Sequence, residues 1–526
     1  MLMHDHFDYW ARIAPDREFG VDASRRLSFG AAGAEVARLA SALHGAGVAP
    51  GDRVAILARN RLEFPLASFA ASRLGAVVVP VNVRLAPDEL RFVLENAEAR
   101  VVFVDAPFAD AMQKIRGSLS KLEDVVGLDD APGGGGKERP DGITRYADFL
   151  ASAARALPDR RAGPNDEAVQ FYTSGTTGQP KGVVHSHLSL SVAASYWRTV
   201  FPITANERQL LVSPAFHSGG FLNFLHTALC GASVYLLAKF DPGEVLRLIA
   251  QERLVRVSLV PATLDACLAE AKDSPSDRFE SLRYLSYGAS PISEATMRRA
   301  LEVFPCEIHQ QFGQTEAPIL THLMPEDHLR GLEEPSLLLS TGRPVVGCEI
   351  RILGSGGQPL PTGERGEICA RTPLAMKGYF RRPEATAETL RDGWVHTGDV
   401  GFLDDRGYLS IVDRLKDMIV SGGENVFAKE VEECLLAHPG VGEAAVIGVP
   451  SERWGEEVKA VIVPKKEGEF GAEELMAFCG ERLAGYKRPR SVDFVAELPR
   501  NANGKVLKRV LRDPYWKGHT RRVSGS

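Results

Sequence analysis

Residues 168 to 185 hold the segment that most restricts how this chain can fold. Ala168-Val169-Gln170-Phe171 and Val183-Val184-His185 read as strands. Between them runs Tyr172-Thr173-Ser174-Gly175-Thr176-Thr177-Gly178-Gln179-Pro180-Lys181-Gly182, made of small residues, hydroxyls, turn-forming glycines and one lysine. A strand-loop-strand unit of this kind places the loop at a sheet edge. There its amides and hydroxyls can close around phosphate oxygens, with the lysine as a point charge. It is not the common P-loop, which needs four residues between its first glycine and a Gly-Lys-Ser/Thr triplet. Here Lys181 follows Pro180 and precedes Gly182.

The rest of the chain supplies the sheet this unit needs. Ala31 to Leu43 has helical spacing, Arg53 to Leu57 reads as a strand, and Pro65 to Leu74 as a helix. The valine-rich run Val77 to Val81, a helical Glu89 to Glu95 and the strand Val101 to Val104 follow. Such βα alternation predicts mostly parallel sheets covered by helices. From about Pro344 to Leu409 short strand-like runs sit among Gly/Pro turns, which predicts a small β-barrel-like subdomain. The C-terminal hundred or so residues predict a compact α+β unit, with helices at Val431 to Leu436 and Glu473 to Leu483 and strands at Glu443 to Val449 and Val458 to Val463. Residues 131 to 140, with four consecutive glycines, read as a surface excursion. A chain of 526 residues is too long for one core, so at least two domains are expected.

Bulk properties exclude some classes. Charge is 62 − 68 = −6, which argues against a nucleic-acid binder with a broad basic face. No apolar run is long enough to span a bilayer, and the N-terminal residues, with their acids and histidines, are not expected to act as a signal peptide. Seven scattered cysteines without a Cys-x-x-Cys pair predict reduced thiols and a cytoplasmic protein. His4 with His6 and His185 with His187 lack a third ligand at suitable spacing, so no transition metal is assigned.

Further constellations each have a plain structural explanation. Ser286-Tyr287-Gly288-Ala289-Ser290-Pro291 can be a strand-to-helix turn with Ser290 as N-cap and Pro291 at the first helical position. Gln310-Gln311-Phe312-Gly313-Gln314-Thr315-Glu316 can be a turn with a capping Thr-Glu pair. Trp394-Val395-His396-Thr397-Gly398-Asp399 and Asp413-Arg414-Leu415-Lys416-Asp417 can be solvated loops. Ser421-Gly422-Gly423-Glu424 can be a tight hairpin turn. Phe216-His217 can hold a satisfied structural histidine, and Lys505, after Asn503-Gly504, can be a surface lysine.

Together and in this order, the segments resemble the adenylate-forming superfamily of acyl-CoA synthetases, firefly-type luciferases and peptide-synthetase adenylation domains. The resemblance spans nearly the whole chain. It implies that Thr173, Ser174, Gly175, Thr176, Thr177, Gly178 and Lys181 hold the ATP phosphates. Gly288, Ala289, Ser290, Gln311, Phe312 and Gly313 would border the adenine, with Phe312 in the place usually taken by tyrosine. Thr315 would meet the α-phosphate, and Glu316 with Thr176 would hold Mg²⁺. Asp399 would take the ribose hydroxyls and Arg414 would lie near ribose and phosphate, with Asp413 a local structural partner. Phe216 and His217 would gate an acyl pocket that includes Phe221 and Gly288. Gly422, Gly423 and Glu424 would border the CoA path. The implied domains are 1–415 and a mobile 416–526, hinged at Lys416, the latter carrying the catalytic Lys505.

The implied activity is ATP-dependent carboxylate–CoA ligation through an acyl adenylate, with medium aliphatic or aromatic acids as the expected substrates and a homodimer compatible with it. Three alternatives stay open: transfer to a carrier-protein thiol, luciferase-like oxidation, and a catalytically silent nucleotide-binding scaffold.

Overall fold

The computed structural model describes residues 1–128, 142–153, 162–173, 179–271, 276–288, 292, 294–422, 424–466, 468, 470–500 and 506–517. The chain divides into a larger unit, Met1–Glu349 with Arg371–Val395, and a smaller one, Ile350–Ala370 with His396–Ser526.

The larger unit is built on two sheets. In the eight-stranded sheet, Val77–Pro80, Arg53–Leu57, Ala99–Val104 and Asp124–Gly127 run parallel. Their near-continuous Val/Ile/Leu runs fit strands covered on both faces. Glu167–Thr173 joins parallel to Val77–Pro80, then Lys181–Ser186 returns antiparallel, and Gly378–Tyr379 completes that edge. The nine-stranded sheet has a parallel centre of Ser233–Leu236, Arg208–Leu211, Arg256–Leu259, Tyr284–Gly288 and Glu307–Gln314. Ala317–Leu323 turns back antiparallel on the last of these.

One hydrophobic cluster joins residues of both sheets with the helices Phe29–Gly45, Glu63–Leu74, His187–Val200 and Ser218–Cys230. Nearly every residue of Glu63–Leu74 is buried, the signature of a central helix rather than a surface one. Its buried Glu63 carboxylate is paired by Arg25 at 2.7 Å and Arg61 at 2.6 Å, which offsets the cost of burying a charge.

The N-terminal segment forms a helix, Met3–Ile13, that the sequence reading did not anticipate. Phe7 stacks on Phe69 with ring centroids 4.8 Å apart and meets Phe19 edge-on at 5.1 Å. His4 bonds Ser72 at 2.9 Å and His6 bonds Ser191 at 3.2 Å, so this pair serves packing.

The segment expected to hold short strands contributes Glu349–Leu353 and Gly366–Arg371 to a five-stranded sheet with Trp394–Leu403 and Leu409–Arg414. A second sheet of the smaller unit combines Ile419–Ser421, Glu424–Val426, Val441–Ser451, Gly455–Pro464 and Ser491–Phe494. The helices Ala428–Leu436 and Ala472–Gly480 pack on its apolar face. The second helix ends at Gly480, three residues short of the expected Leu483. Among the described residues no helix is long and apolar enough to cross a membrane.

Candidate active site

Thr173 and Lys181 face each other as the last rung of the hairpin between Glu167–Thr173 and Lys181–Ser186. Residues 174–178, including Ser174, Gly175, Thr176, Thr177 and Gly178, lie outside the described residues. Their two ends are therefore fixed to one sheet, as the strand-loop-strand reading requires.

Strand Lys181–Ser186 is the organiser of this region. His185 is fully buried, and its Nε2 donates to the Thr315 carbonyl at 2.7 Å. Burial pulls its pKa down to about 4, so the ring is neutral and keeps that donor. On its other side the strand pairs with Gly378–Tyr379, in register Tyr379↔Val183. The Tyr379 hydroxyl donates to Glu316 Oε1 at 2.7 Å. Lys181 Nζ lies 4.7 Å from the centre of the Tyr379 ring, within cation–π range. The Met376 amide donates to the Glu316 carbonyl at 2.8 Å. Burial, with the Glu316 charge second, raises the Tyr379 pKa, which keeps its proton available for donation.

Gln311, Phe312 and Gly313 lie along Glu307–Gln314, and Thr315 and Glu316 form the connection to Ala317–Leu323. These motif residues, for which a turn with a capping Thr-Glu pair is the plain structural alternative, occupy a β-hairpin. Gly288 ends Tyr284–Gly288 and is paired with Gln311. A Cβ there would sit 2.5 Å from the Gln311 carbonyl oxygen, so only glycine allows this approach. Ala289, Ser290 and Pro291 lie outside the described residues.

Phe216 is buried with its ring centre 4.6 Å from that of His217. His217 precedes the helix Ser218–Cys230, and burial brings its pKa down to about 4. Phe221 has no exposure; its ring is 5.4 Å from Phe171 and 4.5 Å from Phe224.

In the smaller unit, Asp399 and Arg414 are paired across antiparallel strands, and Arg414 Nε lies 3.1 Å from Asp399 Oδ1. Asp413 accepts from the amides of Arg414 at 2.7 Å and Lys429 at 3.2 Å, a structural role. Lys416 sits in a one-turn helix, Leu415–Asp417, and burial lowers its pKa. Ser421 pairs with Glu424 across the turn at Gly422, where φ is +62° and a Cβ would meet the Trp454 ring at 2.8 Å. Gly423 and Lys505 lie outside the described residues.

The protein-family model described as "AMP-binding enzyme" matches residues 7–380, and that described as "AMP-binding enzyme C-terminal domain" matches 430–505. The chain belongs to the AMP-binding enzyme family. Long-chain-fatty-acid–CoA ligase FadD13 of Mycobacterium tuberculosis is 37% identical over 511 residues, covering 96% of this chain and 97% of the relative. Feruloyl-CoA synthase of Amycolatopsis sp is 38% identical over 506 residues, covering 95% and 96%. Among solved structures, O-succinylbenzoate coenzyme A synthetase (MenE) from Bacillus subtilis, in complex with ATP and magnesium ion, superposes with a TM-score of 0.83 at 30% identity. That match covers 96% of this chain and 98% of the other.

Two residues of this AMP-binding enzyme escaped the sequence reading, Tyr379 and His185 in its bonded role. Gly378-Tyr379 lies within the Gly/Pro-rich stretch from about Pro344 to Leu409 and was not singled out there. Tyr379 reaches Glu316 across 63 positions and His185 reaches Thr315 across 130, separations that no local pattern encodes.

Proposed function

We propose that this chain is an AMP-forming acid–CoA ligase. The observation that carries the reading is the gathering of Lys181, Tyr379 and Glu316 beside the Thr173–Lys181 rung, which puts a cation and a carboxylate at the mouth of the threonine-rich loop. Relatedness over nearly the full length to a long-chain-fatty-acid–CoA ligase and to a feruloyl-CoA synthase supports the same conclusion.

A carboxylate is a poor acyl donor because it would have to expel oxide. Its oxygen attacks the ATP α-phosphorus, pyrophosphate leaves, and an acyl adenylate forms. A CoA thiol, having lost its proton, then attacks the acyl carbon, and AMP departs. The protein's work is positioning and charge neutralisation. In this reading Thr173, Lys181 and the loop hold the phosphates, and Thr315 meets the α-phosphate. Asp399 and Arg414 take the ribose side. Lys505 bridges carboxylate and α-phosphate, stabilising the charge that develops there.

The donor chemistry at Glu316 suits Mg²⁺: a half-buried carboxylate whose Oε1 is fixed by a hydroxyl, an oxygen-only set for a hard cation. Glu316, with Thr176, would hold it, and it would neutralise phosphate charge when bound.

The second half-reaction needs Lys505 withdrawn and a thiol path opened beside Gly422 and Glu424. Rotation of 416–526 about Lys416 would serve both half-reactions. Phe216 and His217 would gate the acid, a medium aliphatic or aromatic one. A cytoplasmic location fits seven cysteines free of disulfides.

The test is a pyrophosphate-release screen over aliphatic and aromatic acids, with and without CoA. Acid-dependent pyrophosphate, with AMP and an acyl-CoA as the other products, is expected. ADP as the nucleotide product would overturn the reading. A carrier-protein thioester in place of acyl-CoA would move it to the carrier-loading alternative.

A further inference from the structure

Among the described residues of the smaller unit, a set of reactive groups gathers away from Asp399 and Arg414. Glu367 and Cys369 are two apart on Gly366–Arg371, so their side chains leave the same face of the strand. His396 comes from Trp394–Leu403, the neighbouring strand. Glu367 Oε2 lies 2.8 Å from His396 Nδ1, and Cys369 Sγ lies 3.4 Å from the same nitrogen. One sulfur, one nitrogen and one carboxylate oxygen are thus mutually within 4.8 Å. Cys369 is buried, while His396 and Glu367 keep 12% and 19% of their side chains exposed, an entry path for a small ion.

We propose that Glu367, Cys369 and His396 form a binding site for a zinc-class divalent cation, and that its occupancy inhibits the enzyme by disturbing Asp399. A thiolate, an imidazole and a carboxylate suit a borderline-soft ion, and three protein ligands leave a fourth position for water. Tetrahedral bonds of ordinary Zn–S and Zn–N length put sulfur and nitrogen about 3.6 Å apart. The observed 3.4 Å needs almost no adjustment. The corresponding oxygen–nitrogen edge is about 3.4 Å, so the Glu367 carboxylate backs away from its present 2.8 Å. Binding releases one proton, from the Cys369 thiol, and the imidazole proton shifts from Nδ1 to Nε2.

The movement of Glu367 is what couples this site to nucleotide. Its Oε1 accepts from the Gly398 amide at 3.2 Å. Thr397 Oγ1 donates to the Ile368 carbonyl at 2.7 Å and accepts from the Asp399 amide at 3.1 Å. The strand that supplies Glu367 and Cys369 therefore also clamps the turn that delivers Asp399. A cation that draws Glu367 away loosens this clamp, so the ion and ATP oppose each other reciprocally. The inhibitory half rests on the ligase reading; the binding half does not.

The experiment uses the full chain with Co²⁺ as a spectroscopic probe and Zn²⁺ as the inhibitor. Wild type is expected to show a saturable near-ultraviolet thiolate-to-cobalt band at one equivalent. C369S is expected to lose the band and bind at least about tenfold more weakly, since even outer partners of metal ligands are worth 10–100-fold. H396N, which keeps the thiol, is expected to weaken binding similarly. Metal-free melting curves identify any variant that fails to fold, and the variant that folds decides. No cobalt band in wild type, or an undiminished band in the folded variant, overturns the site. In the pyrophosphate assay with excess Mg²⁺, Zn²⁺ is expected to raise KM for ATP several-fold in wild type and not in C369S. A wild type that binds Co²⁺ with an unchanged KM for ATP overturns the coupling. Absence of any ligase activity alongside a normal cobalt band would count against the ligase reading and leave the site standing.

Discussion

The Tyr379 hydroxyl donates to Glu316 Oε1 at 2.7 Å, and the same ring carries Lys181 Nζ on its face at 4.7 Å. Tyr379 thus sets the positions of an anion and a cation at once. Y379F keeps the ring and removes the bond to the carboxylate. A hydrogen bond to a charged group is worth roughly 1.5–3 kcal/mol, and partial exposure favours the lower end. We expect kcat/KM for ATP to fall about tenfold, more Mg²⁺ to be needed for half-maximal rate, and KM for the acid to stay put. Steady-state kinetics across a Mg²⁺ series check this; an unchanged Mg²⁺ requirement would remove Tyr379 from the site.

Asp399 and Arg414 form one unit across their ladder, 3.1 Å apart. D399N and R414A should each raise KM for ATP. Contacting groups couple by about 0.5–3 kcal/mol in double-mutant cycles, so the double variant should lose less than the product of the two single effects. Strict additivity would show that the two side chains act separately.

K505A should abolish acid-dependent pyrophosphate release while still converting a supplied acyl adenylate and CoA into thioester. Equal loss of both half-reactions contradicts the assigned role. Proline at Lys416 should hold one domain orientation and depress overall turnover, and undiminished turnover would discard the hinge.

Much of this architecture could be read from residue order. The loop between Thr173 and Lys181 announces itself through two flanking strands and consecutive small residues, and the hairpin at Gly422 through paired glycines. Asp399 and Arg414 were assigned to the same nucleotide by resemblance, and the antiparallel register supplies the reason they meet. What stayed hidden are contacts between residues far apart in the sequence. His185, to which the sequence assigned no metal, is a neutral donor to Thr315. Glu367, Cys369 and His396 are unremarkable apart from one another in sequence, with 29 positions separating Glu367 from His396.

Gly288→Ala places a methyl group 2.5 Å from the Gln311 carbonyl, which belongs to a backbone fixed in the ladder. Overpacking of this kind costs about 1–3 kcal/mol. We expect a lower midpoint in denaturant melts and a larger loss in ATP-dependent rate than in stability. An active, fully stable variant would show that the strand ends can separate.

Acid should destabilise the fold over a defined window. Burial lowers the pKa of His6, His185, His187, His217, His322 and His328 to about 4. Unfolded, these rings titrate near 6.5. Between those values the unfolded chain binds more protons, so stability rises with pH and is lost as pH falls from 6.5 toward 4. Thermal midpoints at pH 7.5, 6 and 5 should decline steadily, and equal midpoints at 7.5 and 5 would contradict the shifts.

The helix Met3–Ile13 wedges Phe7 among Phe19, Phe29 and Phe69. Trimming it away would leave three rings around a void and strand the hydroxyls of Ser72 and Ser191 without their histidine partners. An engineer shortening this protein should therefore treat its opening dozen residues as a keystone.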